Sequence, residues 1–436
     1  MKTRLSTIPQ YGVSRLDGIA SKAKGISRSV VATLLLAAVT PAFGGQEVEP
    51  QPGAAAHDPL QPLKDAGFTP SLNYWGEEFA NFAGGTGRGA EYEGLLKLGL
   101  NIDLEKVVKW HGSSLYFAVE YPHGLGLTNK YVHDYNVLSN IDAYDSWRLF
   151  EAWVQQDFCN HHVSLRVGQL TTDNNFFISD NAALYVNSVF GELGTVSHNI
   201  FDPAYPVASP GVWLKVSPTA SWYFQAMMVS DDPGAQDGDN KHGLRYNFGG
   251  GARPLSFFEF GYIRAGTEDA PILEGKYKIG AYYDAGLFRD NQGGSPHHGT
   301  SAWWGVVDQQ LYRESYQPKE PFCGLSAFGR ISTAQKDRNP VTFYFDAGLN
   351  YTGPIAHRQK DILGVAFIYE RLSSLLQQPD GSPVPSHHEH VLEATYLCTL
   401  NDHFAVQPDI QYIINPGAMH TIPNALAGGL RFIISF

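Results

Sequence analysis

The stretch from Arg148 to Asp173 combines guanidinium groups, carboxylates, amides and an indole: Arg148, Glu151, Trp153, Gln155, Arg166, Gln169 and Asp173. That set suits an uncharged ligand rich in hydroxyls. Fork-shaped donors and carboxylate acceptors pair with hydroxyls, while a flat ring covers a C–H face. Successive side chains of an extended strand point to opposite sides. Glu151, Trp153 and Gln155 therefore share one face, and Phe150, Ala152 and Val154 share the other. The first set reads as the wet face, continued on the next segment by Ser164 and Arg166, with Gln169 and Asp173 at its end. Arg148 has the parity of Phe150 and fits the grouping less well. The bland alternative is that these are solvated wall charges without specificity.

Other clusters are weaker. His387-His388-Glu389-His390 follows Pro383 and Pro385 and lacks helical H-E-x-x-H spacing, so it reads as an exposed turn rather than a metal site. His161-His162 and His297-His298 read as turn residues too. Asp231-Asp232 through Asp237-Gly238-Asp239 misses the EF-hand register. An adventitious calcium ion is the most it would take, and no cofactor is expected. No G-x-S-x-G, P-loop or dinucleotide glycine pattern occurs, so an enzyme is not expected. Cys159, Cys323 and Cys398 are odd in number and widely spaced, which allows at most one bridge.

The elements that must carry these residues have period two. Tyr92, Gly94, Leu96, Leu98, Leu100 and Ile102 alternate with mostly polar residues. The pattern returns at Leu115 to Tyr121, Val163 to Val167, Val212 to Val216, Tyr277 to Leu287, Val341 to Tyr351, Phe404 to Ile414 and Leu426 to Phe436. Less regular segments lie near Leu72, Phe150, Phe224, Phe260, Val307, Leu325, Val365 and Leu392, which makes about sixteen strands. Many are longer than the roughly 5–6 residues of globular strands and match the roughly 9–11 of a tilted strand crossing a bilayer. No run of 18 apolar residues exists, which excludes a helical membrane protein. The expected fold is all-β, a transmembrane antiparallel barrel closed so that no edge meets lipid. The longest gap, Thr171 to Pro210, is expected to fold into the lumen and narrow it.

Composition agrees. Of 436 residues only 17% are charged, against roughly 25% in soluble domains. The formal net charge of −12 argues against nucleic acid as a partner. Lys2 to Arg28 form a basic stretch leading into the apolar Val30 to Val39 and then the small residues Ala42 and Gly44, a secretory signal peptide over residues 1–44. Its removal takes away six bases and one acid, bringing the net charge to −17. Residues 45–66 read as a Pro- and Ala-rich linker or periplasmic segment, and residues 67–436 as the barrel.

Three stretches carry a family resemblance: Arg148-Leu149-Phe150-Glu151-Ala152-Trp153, Val163 to Gln169, and Asn187-Ser188-Val189-Phe190-Gly191. With Asp308-Gln309, Leu311-Tyr312-Arg313, the tail Val406 to Gly417 and Pro423-Asn424-Ala425, the chain resembles the carbohydrate-selective porins of the OprB type over most of residues 63–436. It departs around Pro62 to Tyr74, where the family's Trp-Gly-Gly-rich opening is not evident. The resemblance implies a 16-stranded outer-membrane barrel passing mono- or small oligosaccharides by facilitated diffusion. Glu151, Trp153 and Arg166 are then expected near the constriction, joined by Arg148, Gln169 and Asp173. Expected partners are a carbohydrate solute, outer-membrane lipid and lipopolysaccharide, the barrel assembly machinery through the terminal Phe436, and further copies in a homotrimer. The alternatives are a porin for another small solute, or a secreted soluble β-rich sugar-binding protein.

Overall fold

The computed structural model describes residues 59–234, 240–245, 251–266, 272–314, 322–377 and 387–436. The signal segment, most of the linker and part of the Asp231 to Asp239 cluster lie outside the described residues. After a short helix α1 (Gln61–Asp65), sixteen strands follow in chain order. They are β1 (Phe68–Ala83), β2 (Gly89–Asp103), β3 (Ser113–Gly124), β4 (Arg148–Phe158), β5 (Val163–Leu170), β6 (Ser209–Val216), β7 (Trp222–Ser230) and β8 (Pro254–Arg264). The second half comprises β9 (Gly275–Phe288), β10 (His297–Arg313), β11 (Gly324–Ala334), β12 (Val341–Thr352), β13 (Ile362–Leu372), β14 (His388–Thr399), β15 (Phe404–Ile414) and β16 (Ala425–Ser435). Each pairs antiparallel with its neighbours, and β16 pairs with β1, closing the ring. The segment around Pro62 to Tyr74 thus supplies the first strand. At the seam Leu72 and Phe436 exchange both backbone N–H···O bonds at 2.8 Å, and the Phe436 ring stacks on His403. The terminal aromatic therefore helps seal the ring.

The alternating pattern sorts into two faces. Leu98, Phe117, Val167, Ile279, Trp303, Ile331, Leu349, Val365, Leu392, Ile410 and Phe432 point outward and are exposed. In water so much continuous apolar surface would be an aggregation hazard; against hydrocarbon it is the matching surface. Two positions depart from simple parity because of bulges. Between β3 and β4 the register jumps from Ala118↔Glu151 to Val119↔Leu149, leaving Phe150 as the extra residue. Val341, expected with the outward set, is fully buried beside the shift between Val341 and Phe343.

The largest buried apolar cluster combines strand residues with the connection between β5 and β6. Phe176, Phe177, Tyr185, Val189, Phe190 and Val196 of that connection join one cluster with Trp304, Val306, Phe328, Tyr344, Ile368, Val391 and Ile413 of the wall. Residues 171–208 reach partners on β4, β8, β10, β11, β12, β14 and β15. A segment touching strands all round a closed ring runs through its interior. Irregular backbone there needs hydrogen-bond partners, and wall carboxylates supply them. Glu259 accepts from the Phe177 N–H at 2.8 Å, Asp308 from Asn181 at 3.2 Å, and Glu393 from Val186 at 2.6 Å and Asn187 at 3.1 Å. The β3–β4 connection, residues 125–147, turns inward as well: Glu389 accepts from the Tyr135 and Asn136 N–H groups at 2.7 and 2.8 Å. Sequence reading had not assigned this second inward segment. Part of the chain's acidic excess is thus used as anchors for inward backbone, where charge-assisted bonds are strong.

Candidate functional site

Three adjoining strands set the geometry around Arg166. β5 carries Arg166 inward, opposite Gln155 of β4 and Trp213 of β6. Its guanidinium carbon lies 3.9 Å from the centre of the Trp153 ring and 4.7 Å from that of Trp213. Nη2 and Nε donate to Gln155 Oε1 at 2.9 and 3.2 Å, and Nη1 reaches Asn175 Oδ1 at 3.5 Å. A planar cation between two indoles is held both by ring electrostatics and by its fork of donors. Tyr116 of β3 extends the aromatic surface, its ring 5.1 Å from Trp153.

Glu151 lies on the same wall, one strand period from Trp153. It accepts from Asn174 Nδ2 at 3.2 Å and from Thr171 Oγ1 at 3.5 Å, so its carboxylate meets the start of the inward segment. On its far side Lys97 of β2 pairs with Glu120 of β3 at 3.2 Å, and the Lys97 ammonium stands 4.7 Å from the Phe150 ring centre. The resulting surface alternates indole, guanidinium, carboxylate and ammonium groups, the set that a polyhydroxylated solute can exchange for water.

Of the six residues expected at the constriction, Glu151, Trp153 and Arg166 come together on this wall. Arg148 does face inward, because the Phe150 bulge resets the parity that argued against it. It is only 1% exposed, however, and its Nη1 donates to Tyr144 Oη at 2.5 Å and to the Asn240 carbonyl at 3.0 Å. Gln169 donates to the carbonyls of Leu149 and Phe150, both at 2.9 Å, and so braces the bulge. Asp173 accepts from the Tyr205 N–H at 3.0 Å, tying two ends of the inward segment together, and burial pushes its carboxyl above the usual range. Lys97, Tyr116, Trp213, Asn174 and Asn175 were missed. Trp213 and Tyr116 were recoverable, since each has the wet parity of its own strand.

The remaining clusters resolve otherwise. His388 and His390 belong to β14 rather than to a turn, and Glu389 between them faces inward as a backbone anchor. His297 and His298 open β10 rather than forming a turn, with His297 Nε2 2.7 Å from Asp290. His161 and His162 do lie in the β4–β5 turn. Among the described residues no group of three or more His, Cys, Asp or Glu could hold a metal ion, and no disulfide joins Cys159, Cys323 or Cys398. A hollow lined by Ala152, Val167, Gly211, Val212 and Met228 belongs to the outer, apolar face of β4–β7, away from the inward wall.

Comparison with known proteins agrees with this architecture. The family model described as "Carbohydrate-selective porin, OprB family" matches residues 87–436. Porin B of Pseudomonas aeruginosa is 27% identical over 413 residues, covering 85% of this chain and 87% of that protein. A putative porin, QuiX, of Acinetobacter baylyi is 22% identical over 410 residues, covering 86% and 91%. A high-pH structure of Pseudomonas putida OprB superposes with a TM-score of 0.76 at 23% identity, covering 86% of this chain and 96% of that one. Its low-pH structure gives 0.56 at 19% identity, covering 86% and 94%. The match across most of the chain, the closed sixteen-strand ring and the apolar outward face place the protein in the outer membrane, and the chain belongs to the carbohydrate-selective porin family, OprB.

Proposed function

We propose that carbohydrate crosses the outer membrane along the Glu151–Trp153–Arg166 wall, by facilitated diffusion through repeated weak binding. The observation that carries this reading is the Arg166 guanidinium lying between Trp153 and Trp213, 3.9 and 4.7 Å from their ring centres, beside the Glu151 carboxylate. Stacking fixes the plane of the guanidinium, so its donors are already oriented when a hydroxyl arrives. Glu151 offers the complementary acceptor, and the indole and phenol rings offer an apolar surface to the C–H face of a pyranose. Each contact is worth little against water, which suits transport: a solute must bind well enough to enter and weakly enough to leave. Gln169 and Asp173 act one step back, keeping the β4 bulge and the inward segment in place.

A planar-bilayer experiment tests the reading. Monosaccharide added to one side should reduce the single-channel current in a saturable way, and Trp153→Ala should raise the half-blocking concentration while the barrel still folds. Passage of sugars and ions alike, without saturation, would contradict it. Liposome swelling with sugars, amino acids and organic acids then separates a sugar path from a path for another small solute.

A further inference from the structure

Beside Arg166 of β5, the inward wall of β6 and β9 carries positive charge that the sugar reading does not use. Several other inward charges are paired. Glu120 holds Lys97, Asp346 holds Arg330, and Glu77 holds Arg431 at 2.5 Å. Glu259, 1% exposed, accepts from the Phe177 N–H, Tyr223, Gln225 and Trp304. Asp308 and Glu393 are engaged by the inward segment. Asp157, at the end of β4, is turned to Gln155 and His161.

Arg166, Lys215 and Lys278 differ. All three are half-buried, and among the described residues none has a carboxylate within 4.0 Å. The Lys215 ammonium stands 4.9 Å from the centre of the Tyr223 ring. Lys278 pairs in register with Gly261, and the Tyr223 ring occupies the space where a Gly261 side chain would stand. The two ammonium-bearing strands therefore flank one phenol ring. Lys278 donates to the Ile178 carbonyl at 2.6 Å, and the neighbouring Lys276 pairs with Asp180 of the inward segment. The charges of Lys278, Arg166 and Lys276 reach Lys215, as does the opposing charge of Glu259. Gathering like charges in a half-buried wall is unfavourable unless an anion visits it.

We propose that Lys215 and Lys278, flanking Tyr223, form a subsite for the carboxylate of an acidic monosaccharide, a hexuronate, so that the pore takes anionic sugars in preference to neutral ones. This rests on the reading of the lumen as a carbohydrate path. The ring would lie toward Tyr223 and the Trp153–Arg166 stack, with the carboxylate between the two ammonium groups. The inward carboxylates named above do not oppose this, because they are engaged by wall cations, wall donors or the inward segment.

The test uses the mature protein in planar bilayers at about 0.1 M salt, where charges are only partly screened. Galacturonate and galactose differ at one carbon, carboxylate against hydroxymethyl. Galacturonate should block at about one fifth the concentration of galactose, the scale of one partly solvated charge contact. Lys215→Gln and Lys278→Gln together should remove most of that difference, leave galactose block unchanged, and shift the reversal potential in a salt gradient toward cation selectivity. Three results would overturn the proposal: equal block by both sugars, a preference that survives in the double variant, or equally strong block by acetate, which would reduce the site to a general anion trap. Failure of both sugars to block would overturn the carbohydrate reading itself and this subsite with it, a result distinct from galactose blocking as well as galacturonate. Lys215→Arg, which keeps the charge, should retain the preference and thereby separate electrostatics from damage to the fold.

Discussion

Arg166 and Trp153 act as one unit, and single substitutions should reveal it. Trp153→Ala removes one ring from the guanidinium stack, and sugar block should weaken about fivefold, the equivalent of ~1 kcal/mol. Arg166→Lys keeps the charge but loses the planar fork and its bond to Gln155, so block should weaken by a similar factor although ion selectivity barely moves. If Arg166→Lys behaved as wild type in sugar titrations, only the charge would matter and the stacking argument would fall. The grouping of Glu151, Trp153 and Arg166 was legible from types and parity alone. Trp213 and Tyr116 have the wet parity of their own strands, but only register shows that they stand opposite Arg166 and beside Trp153.

Strand parity is a strong signal only while a strand stays regular. All sixteen strands fall where alternating or irregular extended segments were read, since one face meets lipid and the other meets polar groups. The β4 bulge at Phe150 breaks the count, which is why Arg148 looked misplaced and Phe150 looked outward. His388 and His390 were misread for a related reason: prolines just before them suggested a turn, yet pairing with β13 and β15 makes them strand residues. The inward segments have no period at all. The 125–147 segment could not be told from an ordinary surface loop until Glu389 was seen to hold its backbone.

The inward β5–β6 segment also supports a prediction about pH. Burial pushes the Asp202 carboxyl up to about 6, while hydrogen bonds from Thr172 and the neighbouring Glu192 oppose the rise. A carboxyl raised in the folded state favours the packed segment below its unfolded value near 3.8, and that contribution is lost as pH climbs through about 6. Asp202→Asn, a neutral mimic of the protonated acid, should match wild type near pH 4 and show slower amide exchange across residues 171–208 at pH 8. His198 of the same segment, lowered to about 4 by burial, contributes in the opposite sense below its ordinary value, and the comparison at fixed pH cancels it. Identical exchange of both proteins at pH 8 would show that Asp202 does not strain the segment.

At the scale of the whole molecule, the barrel depends on keeping its two surfaces apart. Leu430 belongs to the outward set of β16 with Phe432, and a charge there meets lipid. Leu430→Arg should cost about 2–4 kcal/mol near the midplane and reduce the yield of folded, heat-modifiable barrel. Trp153→Ala, on the lumenal side, should leave that yield unchanged. Equal losses from both would mean that the faces are assigned wrongly. The secreted soluble alternative fails on the same ground, because exposed residues such as Trp303, Ile279 and Val365 form a band that only lipid can cover.

The most direct measurement is a crystal structure of the protein soaked with a monosaccharide at side-chain resolution. The sugar should lie with its hydroxyls against Glu151 and Arg166 and its C–H face on the Trp153 or Tyr116 ring. A sugar ordered elsewhere in the lumen, with only water against Arg166 and Glu151, would contradict the account.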